Sequence, residues 1–203
     1  MTQPTLQGGA TYRDRTFRDL TVAGVLEGAT FHDCVFDGCD LHEARILDCR
    51  FVDTDFLSSD LGLVDVAGSA FLGVTIENAH AIGVNWSTAF CDVNHRLEVD
   101  FKDTVLNFAR FEGLDLRGRR FEGCTIHEAL FDRCNLVDAS FRRSDLAGTQ
   151  FLGCDLAGAD LRKAHGYRID VRSNAVAGLR ALMPEAIGLL QGSGIELEEP
   201  SPV

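Results

Sequence analysis

Large apolar residues recur at every fifth position from Leu26 to Leu161. The series begins Leu26, Phe31, Phe36, Leu41, Ile46, Phe51, Phe56, Leu61 and closes Phe131, Leu136, Phe141, Leu146, Phe151, Leu156, Leu161; Arg96 is its one charged member. Two places before most of them stands a small residue, as at Ala29, Cys34, Cys39, Ala44, Cys49, Thr54 and Ser59. A period of five fits neither the 3.6 of an α-helix nor the 2 of a strand. Sustained self-similarity of this kind predicts a repeat architecture. The large residue fills the axis, and the small one, also directed inward, lets the backbone close around it.

Blocks such as Ala159-Asp160-Leu161, Ser144-Asp145-Leu146 and Cys154-Asp155-Leu156 closely resemble the pentapeptide-repeat family, whose consensus is A-[DN]-L-x-x. The resemblance covers about two-thirds of the chain. It implies an all-β solenoid: a right-handed quadrilateral parallel β-helix, one repeat per face and four per coil. The 28 repeats then make seven coils, about 34 Å long at roughly 4.8 Å per coil. Residues 20 apart should stack, so 31, 51, 71, 91, 111, 131 and 151 form one expected column, and 41, 61, 81, 101, 121, 141 and 161 another.

Three segments are expected. Residues 1–25 keep the period loosely, with Tyr12, Phe17 and Val22 one residue out of phase, and read as an N-terminal cap or imperfect first coil. Residues 26–161 form the β-helix. They are irregular at about 81–100, where Ala81, Cys91 and Arg96 fill an axis poorly and Val93, Leu97 and Val99 fit it better. Either one coil is distorted there or a loop, 91–98, interrupts the repeat. Residues 162–203 read as a small C-terminal helical cap and dimerisation module. Within it, Tyr167–Val171 is expected as a strand, Ser173 or Asn174 caps a helix over 175–183, Pro184 opens a second over 185–191, and 195–197 closes as a strand. Leu179, Leu182, Met183, Ile187 and Leu190 are the candidate dimer contacts.

The charge sharpens this picture. The chain carries a formal −12. Residues 26–161 hold 24 acidic and 11 basic residues, so the excess lies on the rod, and residues 26–90 alone reach −9. A nucleic-acid binder needs a basic footprint, so nucleic acid is not expected as a partner. Asp40, Asp55, Asp60 and Asp65, with the outward apolar Leu57 and Leu72, are the candidate partner-binding residues. Apolar residues rimmed by carboxylates suit a protein surface.

Candidate chemistry is sparse. Six of the seven cysteines occupy the small inward slot, as small buried hydrophobes. There is no C-x-x-C and no His cluster for a metal, and no nucleophile or phosphate-loop motif. No catalytic residue, cofactor or metal is expected, and the chain reads as a non-enzyme. The aspartates before the central leucines are expected to cap turns. Neither a signal peptide nor a transmembrane run is evident, and with reduced thiols a cytoplasmic protein is expected.

Gly83-Val84-Asn85-Trp86-Ser87 and the ending Tyr167-Arg168-Ile169-Asp170, Leu182-Met183-Pro184-Glu185-Ala186 and Ile195-Glu196-Leu197-Glu198 narrow the match. They resemble the albicidin-resistance and Qnr-type gyrase-interacting group, although the long projecting loops of the Qnr type are missing. That resemblance implies a homodimer joined through the C-terminal module. It also implies binding to DNA gyrase by DNA mimicry, with resistance or self-immunity to a gyrase poison. The alternative from another class is a structural scaffold binding a different protein through the rod surface.

Overall fold

The computed structural model describes residues 6–90 and 96–195. It is a parallel β-helix with four faces, built from strands mostly three residues long and from isolated bridges. Most of the three-residue strands have an outward, buried, outward pattern around the central residue. Burial of one apolar side chain per face, stacked on the coil before, replaces a globular core.

The four faces follow from the registers. On face one Tyr12, Phe31, Phe51 and Phe71 stack, and Leu97, Leu116, Leu136 and Leu156 fill the later coils. Face two carries Phe17, Phe36, Phe56, Ile76, Phe101, Phe121, Phe141 and Leu161. Face three carries Leu41, Leu61, Ala81, Leu106, Ile126 and Leu146 behind a ladder from Thr21 to His165. Face four carries Leu26 and Ile46, then Val66 and Trp86, then Phe111, Phe131 and Phe151.

The expected 20-residue columns break in two places. Thr11 pairs with Thr30 and Thr16 with Val35, a step of 19, which places Tyr12 and Phe17 on regular faces. The one-residue phase shift of the N-terminal segment is a coil one residue short. The second break is an insertion. Val74 pairs with Val99 and Ile76 with Phe101, a step of 25. Phe90 bridges Ala70 below, while Arg96 bridges Asp115 above, so five extra residues, 91–95, lie between two positions of one face. Those five lie outside the described residues, as does most of the loop expected at 91–98. Arg96 is exposed, and Leu97 and Val99 are buried as anticipated.

The insertion corrects the column reading. Phe111 does not continue the Phe31, Phe51, Phe71 column; it stacks over Trp86 on face four at 6.5 Å and 7°. The aromatic spine therefore runs on faces one and two in the first half, and on faces two and four in the second. Trp86 stands at the changeover, edge-on to Phe71 at 5.5 Å and to Phe101 at 5.3 Å.

Most corners carry a left-handed residue two places after the central one. Asp33, Asp53, Asn78 and Asp103 take it at φ 52°, 47°, 52° and 47°. Asp and Asn tolerate this region better than most side chains. Gly68 (φ 70°) lets the Asp48 side chain lie against the corner, since a Cβ there would lie 2.1 Å from its Oδ1 and would push that carboxylate aside. At many corners the next residue, in the small slot, donates its N–H back to the central carbonyl, as Ala139 does to Leu136 and Ala159 to Leu156. This turn, with positive φ at its third residue, has the pattern of type II.

The small slot is also a hydrogen-bonding position. Ser144 Oγ donates to the Phe121 carbonyl and accepts from the Cys124 N–H one coil earlier. Ser59 treats Phe36 and Cys39 in the same way. Cys134 and Cys154 Sγ lie 3.3 Å from the carbonyls of Phe111 and Phe131. Small polar residues here tie one coil to the next without losing buried polar groups.

Asn174 extends this pattern past Leu161 and corrects the expected helix over 175–183. Its side-chain NH2 donates to the Phe151 carbonyl, and its Oδ1 accepts from the Cys154 N–H. Ala175 then bridges Asp155, and Arg180 bridges Asp160. The chain is held in another coil because an Asn in the slot replaces a helix cap by an inter-coil link. Tyr167–Val171 is likewise not a strand, although Tyr167 and Ile169 are buried. One helix, α1, follows at Ile187–Gly192, overlapping the second expected one. A Cβ at Gly188 would lie 2.1 Å from the Tyr167 carbonyl oxygen, and one at Gly192 2.5 Å from that of Ile169, so α1 packs directly on backbone. Of the expected closing strand, 196 and 197 lie outside the described residues.

Candidate functional surface

The candidate partner residues do not converge. Leu72 lies on face one, in register with Val52. Asp55 and Leu57 lie on face two, and Leu57 sits between Asp37 and Glu77. Asp40 and Asp60 bridge each other on face three, and Asp65 lies on face four beside Arg45. The six residues occupy all four faces, because neighbours in sequence at this period lie on successive sides of the rod.

Part of the aspartate set serves the fold. Asp40 Oδ1 accepts from the His42 N–H, Asp60 from Gly62, Asp65 from Ala67 and Asp155 from Ala157. These are the turn-capping bonds expected of an aspartate before a central leucine.

The ion pairs divide the rod in two. In the second half, Asp100 meets Arg119 and Arg120, Asp115 meets Arg117, Glu112 and Asp132 meet Arg133, and Asp160 meets Arg142 and Arg162. The Arg117 guanidinium hydrogen-bonds Asp115 and holds its carboxyl below the usual range. Asp145 is shared by His127 at 2.7 Å and His165 at 3.2 Å; burial opposes its ionisation, but those partners lower its pKa. In the first half Asp37, Asp60 and Asp65 have Arg18, His42 and Arg45. Glu27, Asp33, Asp48, Asp53 and Asp55 have no ion pair among the described residues.

Three carboxylates stand in line. Asp14, Asp33 and Asp53 occupy the same corner, between faces one and two, on successive coils: the Asp14 N–H donates to the His32 carbonyl, Asp33 to Val52 and Asp53 to Leu72. Asp55 stands just past this corner on face two. The sequence signal for the line was an Asp two places after a central residue, a position the A-[DN]-L frame does not mark.

Elsewhere the surface offers little chemistry. The six described cysteines are free and buried, and burial pushes the Cys124 thiol up to about 12. Among the described residues no group of three or more His, Cys, Asp or Glu is placed to hold a metal ion. No described helix is long and apolar enough to cross a membrane.

The dimer candidates separate by exposure. Met183 is 73% exposed, and Leu182 and Leu190 are 44% exposed, while Leu179 packs partly buried against the core. Ile187 is half-buried in α1.

Residues 25–61 and 126–162 match the family described as Pentapeptide repeats, in 8 copies. The matched segments, 74 of the 203 residues, are pentapeptide repeats. The two matched segments lie on either side of the coil that carries the extra five residues. No curated protein matches the sequence. Among solved structures, a trypsin-treated form of QnrB1, a plasmid-mediated fluoroquinolone resistance protein, is 20% identical. The match covers 95% of this chain and 93% of that chain, with a TM-score of 0.51. HetL, a pentapeptide repeat protein involved in heterocyst differentiation regulation from the cyanobacterium Nostoc sp. strain PCC 7120, is 17% identical. That match covers 86% of this chain and 91% of HetL, with a TM-score of 0.43. At such identities the likeness is one of fold.

Proposed function

We propose that this protein is a non-enzymatic, cytoplasmic binder of DNA gyrase that offers the enzyme a DNA-like acidic surface. It gives resistance or self-immunity to a gyrase poison, and it acts as a homodimer joined through its C-terminal module. The observation that carries the reading is the line of unpaired carboxylates at Asp33 and Asp53, with Asp55 beside it, on residues 26–90 of net −9, a line that Asp14 extends into the N-terminal coil. One carboxylate per coil repeats every ~4.8 Å. One DNA strand presents a phosphate about every 3.4 Å. A groove that tracks phosphates with Lys and Arg therefore meets charge at a comparable spacing. The exposed Leu182, Met183 and Leu190 support the dimer, and the resistance role assigned to QnrB1 agrees with the reading.

A second reading, a scaffold for another protein, draws on the stacked Val52 and Leu72 of face one. Salt separates the two. Binding to purified gyrase through the carboxylate line is expected to weaken roughly tenfold or more between low and moderate salt, as charge-steered contacts are screened. Asp33→Lys with Asp53→Lys should flatten that dependence. These aspartates hold no turn-capping bond, and Lys163 already takes the same left-handed corner conformation at φ 66°. An affinity indifferent to salt, and to the two reversals, would favour the scaffold.

A further inference from the structure

The corner between faces three and four breaks the rule of every other corner. Among the described residues sixteen non-glycine residues have positive φ, and fourteen of them are Asp, Glu, Asn, Ser, Arg or Lys. The other two are Leu63 at φ 55° and Phe108 at φ 61°. Both occupy this one corner. The Leu63 N–H donates to the Ile82 carbonyl, Gly83 to Asn107 and Phe108 to His127, so Leu63, Gly83 and Phe108 stand on successive coils. Leu63 and Phe108 are 53% and 58% exposed. The Leu63 side chain leans over Gly83, where a Cβ would lie 2.7 Å from its Cδ2.

A large apolar side chain in the left-handed region is strained and here buries little. The fold gains nothing from it that glycine would not supply. The same corner carries Glu43 (φ 56°) one coil before Leu63 and Glu128 (φ 54°) one coil after Phe108. The corner thus reads Glu, Leu, Gly, Phe, Glu over four coil steps, about 19 Å at the strand spacing.

We propose that this ridge docks a segment of the topoisomerase whose apolar centre is bracketed by basic residues. The inference rests on the gyrase reading and adds a second contact, on the opposite side of the rod from the carboxylate line. The occupant follows from charge. A second copy laid antiparallel would set Glu43 against Glu128, like against like, whereas a basic-apolar-basic segment pairs both ends. The ridge supplies short-range specificity, and the carboxylate line supplies long-range attraction.

The test is equilibrium binding of the full chain to purified gyrase, with Leu63→Gly plus Phe108→Gly and, separately, Glu43→Lys plus Glu128→Lys. The glycine pair should raise Kd tenfold or more while the melting midpoint stays the same or rises, since glycine relieves the corner. The lysine pair should also weaken binding. Wild-type affinity in both double variants, with the wild type still bound in a salt-dependent manner, overturns the ridge alone. Failure of the wild type to bind gyrase at all overturns the gyrase reading, and this occupant with it. Sedimentation showing that the wild type self-associates and the glycine pair does not would make the ridge a self-contact and overturn the proposal.

Discussion

Phe131→Ala is expected to destabilise the protein by about 3–5 kcal/mol, the range for deleting a buried aromatic side chain. Phe131 is fully buried and touches both neighbouring coils. Its ring stacks on Phe111 at 4.7 Å and on Phe151 at 5.1 Å, and it meets Phe121 and Phe141 edge-on at 5.5 and 5.7 Å. Removing it opens a void that four rings line and that the backbone, pinned by ladder bonds on both sides, cannot close. At roughly 2–4 °C per kcal/mol for a chain of this size, the melting midpoint should fall by about 6–20 °C. Phe17 sits near the start of the rod, with fewer rings around it, so the same substitution there should cost less. Urea unfolding of the two variants checks the order. A loss below about 1 kcal/mol for Phe131→Ala would contradict a core carried by the ring stacks.

Asp160→Ala is expected to cost about 1.5–3 kcal/mol, the range for losing charge-assisted hydrogen bonds at a buried acceptor. The Asp160 side chain is 6% exposed. It accepts from Arg162 Nε at 2.9 Å and Nη2 at 2.7 Å, from Arg142 Nη1 at 3.1 Å, and from the Arg162 backbone N–H at 3.0 Å. The Arg162 guanidinium, with Arg142 behind it, holds the carboxyl far below the usual carboxylate range in spite of its burial. The folded pKa is thus depressed below the unfolded one. Stability from this network is complete above the ordinary Asp pKa and is lost as pH falls from about 5 into strong acid. Asp115, held low by Arg117, contributes in the same direction. Wild type should therefore lose stability over this range faster than Asp160→Ala. Parallel pH profiles for the two proteins would contradict the assignment.

The fold was legible because a period of five admits few structures, and the resemblance supplied its four sides. The turn-capping aspartates and the inward Leu97 and Val99 were legible for the same reason. The columns were not. Position on a rod depends on the summed length of every coil before it, so one coil of 19 residues and one of 25 moved Phe111 to another face. The helix expected over 175–183 failed because Asn174 reads locally as a cap. Its partners, Cys154 and Phe151, stand 20 and 23 residues back.

The candidate surface was less legible still. Net charge by half was visible in composition, but which carboxylates are neutralised depends on pairs such as Asp100 with Arg120 and Glu112 with Arg133, made across coils. The unpaired line at Asp14, Asp33 and Asp53 crosses the short first coil, and so it straddled two expected segments. Leu63, two places after the central Leu61, stands in the repeat at a corner position. Its alignment with Phe108 is masked by the 25-residue coil.

The central claim is that the acidic half-rod engages a topoisomerase in place of DNA. Supercoiling by purified gyrase, measured with the protein added and with or without a poison such as albicidin or a fluoroquinolone, tests it most directly. The account predicts inhibition of supercoiling, or rescue of the poisoned enzyme, at micromolar or lower protein, with Asp33→Lys plus Asp53→Lys losing most of the effect. Supercoiling untouched by the protein, with and without poison and across gyrases from several bacteria, would contradict it.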